Sequence, residues 1–140
     1  MNNVHFSSKS DSWTTPHDLY EKYHELYQFE LDAAASHRNS KCPLYFDDSG
    51  LEEEWCIYAN KVWLNPPYSD VKSWIKKAYE QSLKQVTTVM LIPARTDTSA
   101  WHEYVFPYAK VEFLRGRLKF SHSKNSAPFP SAIVIFKGKL

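Results

Sequence analysis

An apolar run ends in a double-proline turn at Val62-Trp63-Leu64-Asn65-Pro66-Pro67-Tyr68. A pattern with the period of an α-helix opens directly afterwards, at Ser69. A strand, a rigid turn and a helix in this order are how open α/β sheets build a ligand site at the carboxyl end of a strand. We therefore predict a strand over 61–65, a helix over 69–84 and a functional site at the turn between them.

The next segment predicts a neighbouring strand of the same sheet. The apolar, β-branched run over 86–92 is typical of a strand covered on both faces. It ends in a polar turn that contains Arg95 and Asp97, at the same sheet edge as Asn65 if both strands are parallel. Arg95 fits either that site or a surface ion pair. Asp97 or Thr98 can cap a following helix.

The segment upstream of these strands predicts a helix start. Thr15 can act as the N-cap residue, and Pro16 suits the first helical position. The apolar side chains expected on one face of this helix are Leu19, Tyr23, Leu26 and Tyr27. The free backbone N–H groups at such a start are either simply capped or receive a small anion such as a carboxylate.

Residues 29–36 predict a strand that runs into a tight turn. Asp32 would lie at the strand end, where its carboxylate can accept hydrogen bonds from an ammonium or hydroxyl group. Ala33 and the two alanines after it let a ligand approach the backbone closely. Rossmann sites usually use glycine for this purpose.

Three shorter elements are expected before the double-proline strand. Residues 42–46 predict a short strand, and residues 51–55 predict a short acidic helix. Between them lies a turn with Asp47 and Asp48. This acidic pair is either a solvated turn or a ligand for the hydroxyl groups of a cofactor.

The C-terminal third predicts strands over 110–114, 118–120 and 131–136. Strands joined this closely are expected to be antiparallel to each other, which gives the sheet a reversed edge. The expected fold is α/β, a single compact domain over 13–140 whose mostly parallel sheet has an antiparallel edge strand. Residues 1–12 are polar and serine-rich, and they predict a flexible N-terminal tail.

Composition excludes several classes of protein. The chain has 140 residues, of which 43% are hydrophobic and 24% charged, as in ordinary globular proteins. Cys42 and Cys56 lack the spacing of metal ligands, so we expect no metal and a reducing compartment. No apolar run approaches the ~18 residues of a membrane span, and no signal peptide is evident. We therefore expect a cytoplasmic protein with no membrane partner.

The charge is distributed unevenly, although the net charge is only +1. Residues 16–54 hold ten acidic and three basic residues, whereas residues 110–140 hold seven basic residues and one acidic residue. The basic segment indicates either contact with the phosphates of a nucleic acid or a solvated basic face.

The double-proline turn presents hydrogen-bond acceptors. Asn65 and Pro66 each precede a proline and are held extended, and prolines donate no backbone N–H. The side-chain oxygen of Asn65 and the carbonyl oxygen of Pro66 therefore fit one planar –NH2 group. Accepting both of its hydrogens pulls the nitrogen toward tetrahedral geometry and frees its lone pair for attack on a sulfonium methyl group. Tyr68 can stack on the ring that carries the amine.

The turn resembles motif IV, [DNS]PP[YFW], of S-adenosylmethionine-dependent amino-methyltransferases. Further blocks look like those of the phage and prophage DNA N6-adenine methyltransferases, and they cover nearly the whole chain from Trp13. These blocks are WTTP at 13–16, LDAA at 31–34, KC at 41–42 with YF at 45–46, NPPYS at 65–69, LIPARTDT at 91–98, FLRGRLKF at 113–120 and APFPS at 127–131.

The resemblance implies a Rossmann-like methyltransferase domain that transfers a methyl group from S-adenosyl-L-methionine to N6 of adenine in DNA. The implied catalytic residues are Asn65, Pro66, Pro67 and Tyr68. The implied cofactor-binding residues are Trp13, Thr15, Pro16, Asp32, Ala33, Asp47 and Asp48. The implied contacts to the base or to phosphate are Arg95, Asp97, Arg115, Arg117 and Phe129.

The resemblance also implies which part of the cofactor each residue would contact. Thr15 and Pro16 would lie at the methionine end, and Asp32 would lie near the amino group. Either Asp47 or Asp48 would reach the ribose or the adenine moiety. If a phage encodes the chain, the enzyme would act in the cytoplasm of the host.

The chain departs from wider methyltransferase patterns. It has no FxGxG motif, and only 32 residues (33 to 64) separate Asp32 from Asn65. No segment is large enough for a separate target-recognition domain, so we predict short or weak sequence specificity, carried by the 115–130 loop and the N-terminal tail. An adenine inside a duplex is unreachable, so the base must be flipped out or the substrate single-stranded.

Two other functions remain compatible with the same residues. One is amino-methyl transfer to RNA adenine or to a protein glutamine amide. The other is a non-catalytic module of the same fold that binds nucleic acid or senses the cofactor. The sequence leaves the oligomeric state open.

Overall fold

The structure is a computed structural model that describes residues 13–121 and 123–139. The flexible tail expected over 1–12 lies outside these residues. The described residues form a single five-stranded sheet with the strand order β1-β2-β3-β5-β4. The strands are β1 Leu31–Asp32, β2 Lys61–Leu64, β3 Thr87–Pro93, β4 Lys110–Phe113 and β5 Ser131–Phe136.

The first three strands are parallel, as predicted. β1 pairs with β2 and β2 pairs with β3, with Trp63 opposite Val89. The strand expected over 42–46 is reduced to one parallel bridge between Asp32 and Tyr45, which places this segment beside β1. Because parallel strands end at the same edge of a sheet, the turns after β1, β2 and β3 lie together there.

The reversed strand lies inside the sheet, which corrects the expectation of a reversed edge. β5 runs antiparallel to both of its neighbours, β3 and β4. The edge strand β4 therefore runs in the same direction as β1 to β3. All six residues of β5 are buried, whereas β4 carries the charged residues Lys110 and Glu112, which suit an edge. The strand expected over 118–120 is not formed.

The helices flank this sheet, and their bounds are α1 His17–Tyr27, α2 Val71–Ser82 and α3 Phe106–Tyr108. A 3₁₀ turn, Tyr68–Asp70, leads into α2, and a π-helical turn, Trp101–Val105, leads into α3. The acidic helix expected over 51–55 is replaced by turns and a 3₁₀ turn at Trp55–Ile57. The indole N–H of Trp55 donates to the carbonyl of Gly50 over 2.7 Å, which holds these turns together.

The start of α1 differs from the prediction. Pro16 is the N-cap residue, and its carbonyl accepts the N–H of Tyr20 over 3.2 Å. Thr15 does not cap the helix, because its hydroxyl is hydrogen-bonded to Asn65. The buried face of α1 is also shifted: Tyr20 and Tyr23 are buried, whereas Leu26, expected inside, is 70% exposed.

Two apolar cores cover the two faces of the sheet. Val62 and Leu64 belong to one core with α2, and the intervening Trp63 belongs to the other core with α1. Met90 and Leu91 divide between the cores in the same way. This alternation is that of strands buried on both sides. Within the described residues, no helix is long and apolar enough to span a bilayer.

Gly50 allows the turn after 42–46 to pack against β1. A Cβ atom on Gly50 would lie 2.2 Å from the carbonyl oxygen of Ala33 and 2.6 Å from the indole of Trp74. We therefore expect Gly50→Ala to lower the free energy of unfolding by about 3 kcal/mol, because backbone and a large ring must both move. Urea unfolding followed by circular dichroism measures this loss.

Gly116→Ala is the matched control for that substitution. Gly116 has a φ of +72°, but a Cβ atom there would meet nothing within 4 Å. Only the backbone conformation opposes alanine, at a cost of about 1 kcal/mol. Equal losses in the two variants would contradict the close packing of Gly50.

Candidate active site

An open cavity of about 640 Å³ lies at the carboxyl ends of β1 and β2. Its volume is within the range of small-molecule and cofactor sites. The structure brings seven predicted site residues to its lining: Trp13, Thr15, Asp32, Asp47, Asp48, Asn65 and Pro67. These residues come from the segment before α1, the turns after β1 and the turn after β2.

Asp32 is a buried carboxylate in the lining of this cavity, with 3% of its surface exposed. It accepts the backbone N–H of Lys41 over 2.9 Å and that of Ala34 over 3.4 Å. Burial raises the pKa of the Asp32 carboxyl to about 7, although these two N–H groups act in the opposite direction. Within the described residues the carboxylate has dipolar partners but no ion-pair partner, so a ligand cation would relieve its desolvation.

The acidic turn also lies at the cavity. Asp47 and Asp48 are both exposed, and Asp48 has a φ of 72°, in the left-handed region that aspartate tolerates better than most residues. Ala33 is fully buried in the core beside them, whereas the next alanines, Ala34 and Ala35, line the cavity. Two of the three alanines after Asp32 are therefore in the lining of the cavity, and the predicted cofactor contact of Ala33 stays a prediction.

Three hydrogen bonds hold the side chain of Asn65. Its Nδ2 donates to the carbonyl of Trp13 and, over 3.0 Å, to Oγ1 of Thr15. Its Oδ1 accepts the hydroxyl of Tyr68 over 2.9 Å. In the same turn Pro66 is buried and Pro67 lines the cavity. The predicted hollow beside Asn65 is therefore present, and the amide oxygen already has one donor.

Tyr68 is buried, with 7% of its surface exposed. Phe129 meets the ring edge-on, with the two centroids 5.6 Å apart, and Phe120 approaches it at 6.4 Å. The hydroxyl also lies 3.3 Å from the carbonyl of Leu91. Burial raises the pKa of Tyr68 well above its usual range, so the hydroxyl stays protonated and can donate to Asn65.

Residues 13–15, which precede α1, contact Asn65 on one side and residues 120–121 on the other. The ring of Trp13 packs against Phe120 at 5.3 Å and against Phe129 at 5.5 Å. The backbone N–H of Ser121 donates to the carbonyl of Thr14 over 3.0 Å. Pro16, predicted at the cofactor, serves here as the N-cap residue of α1.

Of the residues predicted to contact the base or phosphate, Phe129 packs against Tyr68 and Arg95 lies next to Phe129. Arg95 is exposed and its guanidinium carbon lies 5.9 Å from the ring centroid of Phe129. Together with Tyr68 it lines a second pocket of about 270 Å³ between the turn after β3 and α2. Asp97, Arg115 and Arg117 are exposed, and no contact of theirs with the first cavity is observed among the described residues.

The described residues contain no cluster of three or more histidine, cysteine or acidic side chains that could hold a metal ion.

A family comparison identifies the chain. The sequence profile described as DNA N-6-adenine-methyltransferase (Dam) matches residues 3–138. The chain belongs to the DNA N-6-adenine-methyltransferase (Dam) family. The resemblance seen in the sequence blocks is thereby confirmed, and Asn65 and Pro67 of this Dam-family chain line the 640 Å³ cavity.

Two relatives of this Dam-family chain come from phages. It is 38% identical over 93 residues to a protein named "DNA N-6-adenine-methyltransferase" from Escherichia phage T1, a match that covers 65% of the chain and 39% of the relative. It is 26% identical over 144 aligned positions to a protein of the same name from Haemophilus phage HP1 (strain HP1c1), covering 94% and 82%. The chain thus spans well under half of the phage T1 relative.

Sequence reasoning missed two contacts that shape the site. Gly50 packs against the end of β1, and the hydroxyl of Thr15 bonds Asn65 across 50 positions of sequence. Neither contact leaves a local pattern, because each joins segments that only the sheet brings together. In this Dam-family chain, the WTTP block at 13–16 marked Thr15 as a site residue, but it did not indicate that Thr15 is hydrogen-bonded to Asn65.

The buried carboxylate of Asp32 predicts a specific pH dependence of stability. The unfolded carboxyl has a pKa near 3.8, and the folded one is raised to about 7. Between these values the folded state holds a proton that the unfolded state has released, so stability falls as pH rises through this window. We expect Asp32→Asn to gain stability relative to the unmodified protein between pH 5 and pH 8, measured by urea unfolding at both pH values.

Asp47→Asn is the control, because Asp47 lines the same cavity but is exposed. Its difference from the unmodified protein should change little between the two pH values. A difference for Asp32→Asn that is the same at pH 5 and pH 8 would contradict a raised pKa at Asp32.

Proposed function

We propose that this protein transfers a methyl group from S-adenosyl-L-methionine to N6 of adenine in DNA. The names of the two phage relatives indicate methylation of adenine N6 in DNA for those proteins. The observation that carries the proposal is the position of Asn65, which follows a buried parallel strand and lines a cavity together with the buried carboxylate of Asp32. The domain proposed is Rossmann-like and extends over 13–140.

Asp32 is proposed to bind the amino group of the cofactor. An ammonium beside it favours the ionised carboxylate and opposes the effect of burial. Asp47 and Asp48, exposed at the same cavity, are suited to accept from the hydroxyl groups of the ribose. Trp13 also lines this cavity. When bound, the cofactor supplies an electrophilic methyl group.

Asn65 is proposed to prepare the adenine amine. Its Oδ1 and the carbonyl of Pro66 accept the two hydrogens of N6, which draws the nitrogen out of conjugation with the ring. The hydrogen bonds strengthen as the nitrogen becomes cationic, so they stabilise the transition state more than the bound substrate. The lone pair of N6 would then be free to attack the methyl group that a bound cofactor would supply. The carbon–sulfur bond of the cofactor would be the bond lost, and N6 would release a proton to solvent.

The ring of Tyr68 is proposed to stack on the adenine once Phe129 has moved away from it. Phe129 and Tyr68 are in edge-on contact here, so the incoming base replaces one aromatic contact with another. An adenine must leave the duplex to reach this depth, or must come from a single strand. Arg95, whose guanidinium already lies near Phe129, is positioned to meet the phosphates beside that base.

Labelled methyl transfer tests the proposed function. The protein is incubated with DNA and S-adenosyl-L-methionine labelled on the methyl group, and the DNA is digested to nucleosides. We expect label in N6-methyldeoxyadenosine, and a loss of at least about 100-fold in Asn65→Ala, because one preorganised acceptor is removed. Asn60→Ala, at the opposite end of β2, should retain activity.

The same labelling experiment with other substrates can contradict the proposed function. Label that enters RNA or a glutamine-containing peptide, but not DNA, would replace the proposed substrate with the corresponding alternative. Calorimetric binding of the cofactor without transfer to any of the three would indicate a non-catalytic module.

Salt-dependent DNA binding tests the basic segment. Arg115 and Arg117 are exposed on the two sides of Gly116, in the loop after β4. We expect Arg115→Gln and Arg117→Gln each to weaken DNA binding and to lower the slope of log affinity against log salt by about one, because each releases one fewer counterion. Fluorescence anisotropy with a labelled oligonucleotide, over a series of salt concentrations, measures both quantities.

Lys61→Gln is the matched control for the arginine variants. Lys61 is the first residue of β2, so it lies at the amino end of the strand, away from the cavity at the carboxyl end. Its loss should leave affinity and salt slope unchanged. An equal effect of Lys61→Gln would indicate that binding reflects only diffuse charge.

A further inference from the structure

The contacts of the Asn65 carboxamide come from a segment that the sequence had placed at the cofactor. Its nitrogen donates to the carbonyl of Trp13 and to the hydroxyl of Thr15. We infer that Trp13 and Thr15 orient Asn65, so that Thr15 is a positioning residue for methyl transfer rather than a cofactor ligand. The inference rests on the proposed catalytic role of Asn65.

The carbonyl of Trp13 determines which end of the amide faces it. A backbone carbonyl can only accept a hydrogen bond, so the group of Asn65 that meets it must be the –NH2 group. The carboxamide oxygen is therefore directed away from Trp13, toward the hydroxyl of Tyr68 at 2.9 Å. The reversed orientation would bring two carbonyl oxygens together and leave the amide nitrogen without the acceptors it has now.

The hydroxyl of Thr15 strengthens the same orientation. Thr15 is 2% exposed, so its Oγ1 is largely shielded from solvent where it accepts the second amide hydrogen. Two hydrogen bonds donated by the nitrogen polarise the amide and make its oxygen a better acceptor. A carboxamide oxygen has two lone pairs, and Tyr68 uses one of them. One acceptor position remains for the amine of the substrate.

Residues 13–15 are themselves held in place by contacts with Phe120 and Ser121. The hydroxyl of Ser121 donates to the carbonyl of Thr15 over 3.3 Å, and its backbone N–H donates to the carbonyl of Thr14. The ring of Trp13 packs on Phe120. Asn65 is therefore oriented only when the segments before α1 and around 120–121 are seated together.

Two substitutions at Thr15 separate positioning from cofactor binding. Thr15→Val keeps the shape but removes the hydroxyl, and Thr15→Ser keeps the hydroxyl. We expect Thr15→Val to lower kcat for labelled methyl transfer by about three- to tenfold, with the KM for S-adenosyl-L-methionine unchanged, and Thr15→Ser to restore most of kcat. A raised KM with unchanged kcat in Thr15→Val, or an equal loss in both variants, would overturn the inference.

Asn65→Asp gives an independent test through its pH profile. An ionised carboxylate would face the carbonyl of Trp13, oxygen against oxygen, whereas the protonated form can still donate there. We expect the ratio of variant to unmodified activity to rise as the pH is lowered. A ratio that is constant with pH, or that rises with pH, would contradict the contact with Trp13.

A spectroscopic readout keeps the inference testable if no methyl transfer to DNA is found. The side-chain –NH2 signals of Asn65, assigned by their loss in Asn65→Ala, should exchange slowly with water in the unmodified protein and in Thr15→Ser, and faster in Thr15→Val. Fast exchange in the unmodified protein would overturn the positioning of Asn65. Absence of methyl transfer combined with slow exchange would instead overturn the proposed function alone.

Discussion

The parallel pairing of β1, β2 and β3 brings the ends of three strands to one edge of the sheet. Asp32 and Asn65, 33 positions apart in sequence, line one cavity for this reason. Apolar cores on both faces hold the strands in register. The polar turns after them therefore rest on rigid supports, which is the arrangement that a precise binding geometry requires.

Burial of polar groups is the second constraint on the site. Asp32, Thr15 and Tyr68 are all less than 9% exposed, and each has a defined hydrogen-bond partner. Burial raises the pKa of both Asp32 and Tyr68, with opposite consequences. The carboxylate of Asp32 is made receptive to a cation, whereas the phenol of Tyr68 is kept as a permanent donor. The raised pKa of Asp32 therefore lowers the stability of the protein as the pH rises through the window between the unfolded and the folded pKa.

Much of the fold could be predicted from periodicity, because β2, β3, β5 and α2 carry clear apolar patterns. The position of β5 could not be predicted, because alternation and run length define a strand but not its neighbours. Leu26 was misplaced because tertiary contacts of Tyr20 with Trp63 rotate α1. At the site, the turn and Asp32 were recognisable from local chemistry. The role of Thr15 was not, because its partner is remote in sequence.

The placement of β5 has a consequence for how the chain is made. β5 forms six residue pairs with β3 and four with β4, and it is the last strand of the sheet to be synthesised. Until it leaves the ribosome, β3 exposes a long apolar edge and β4 has no neighbour to pair with. Chains that stop before residue 131 should therefore be prone to aggregation and proteolysis, because this sheet can close only after residues 131–136 have been added.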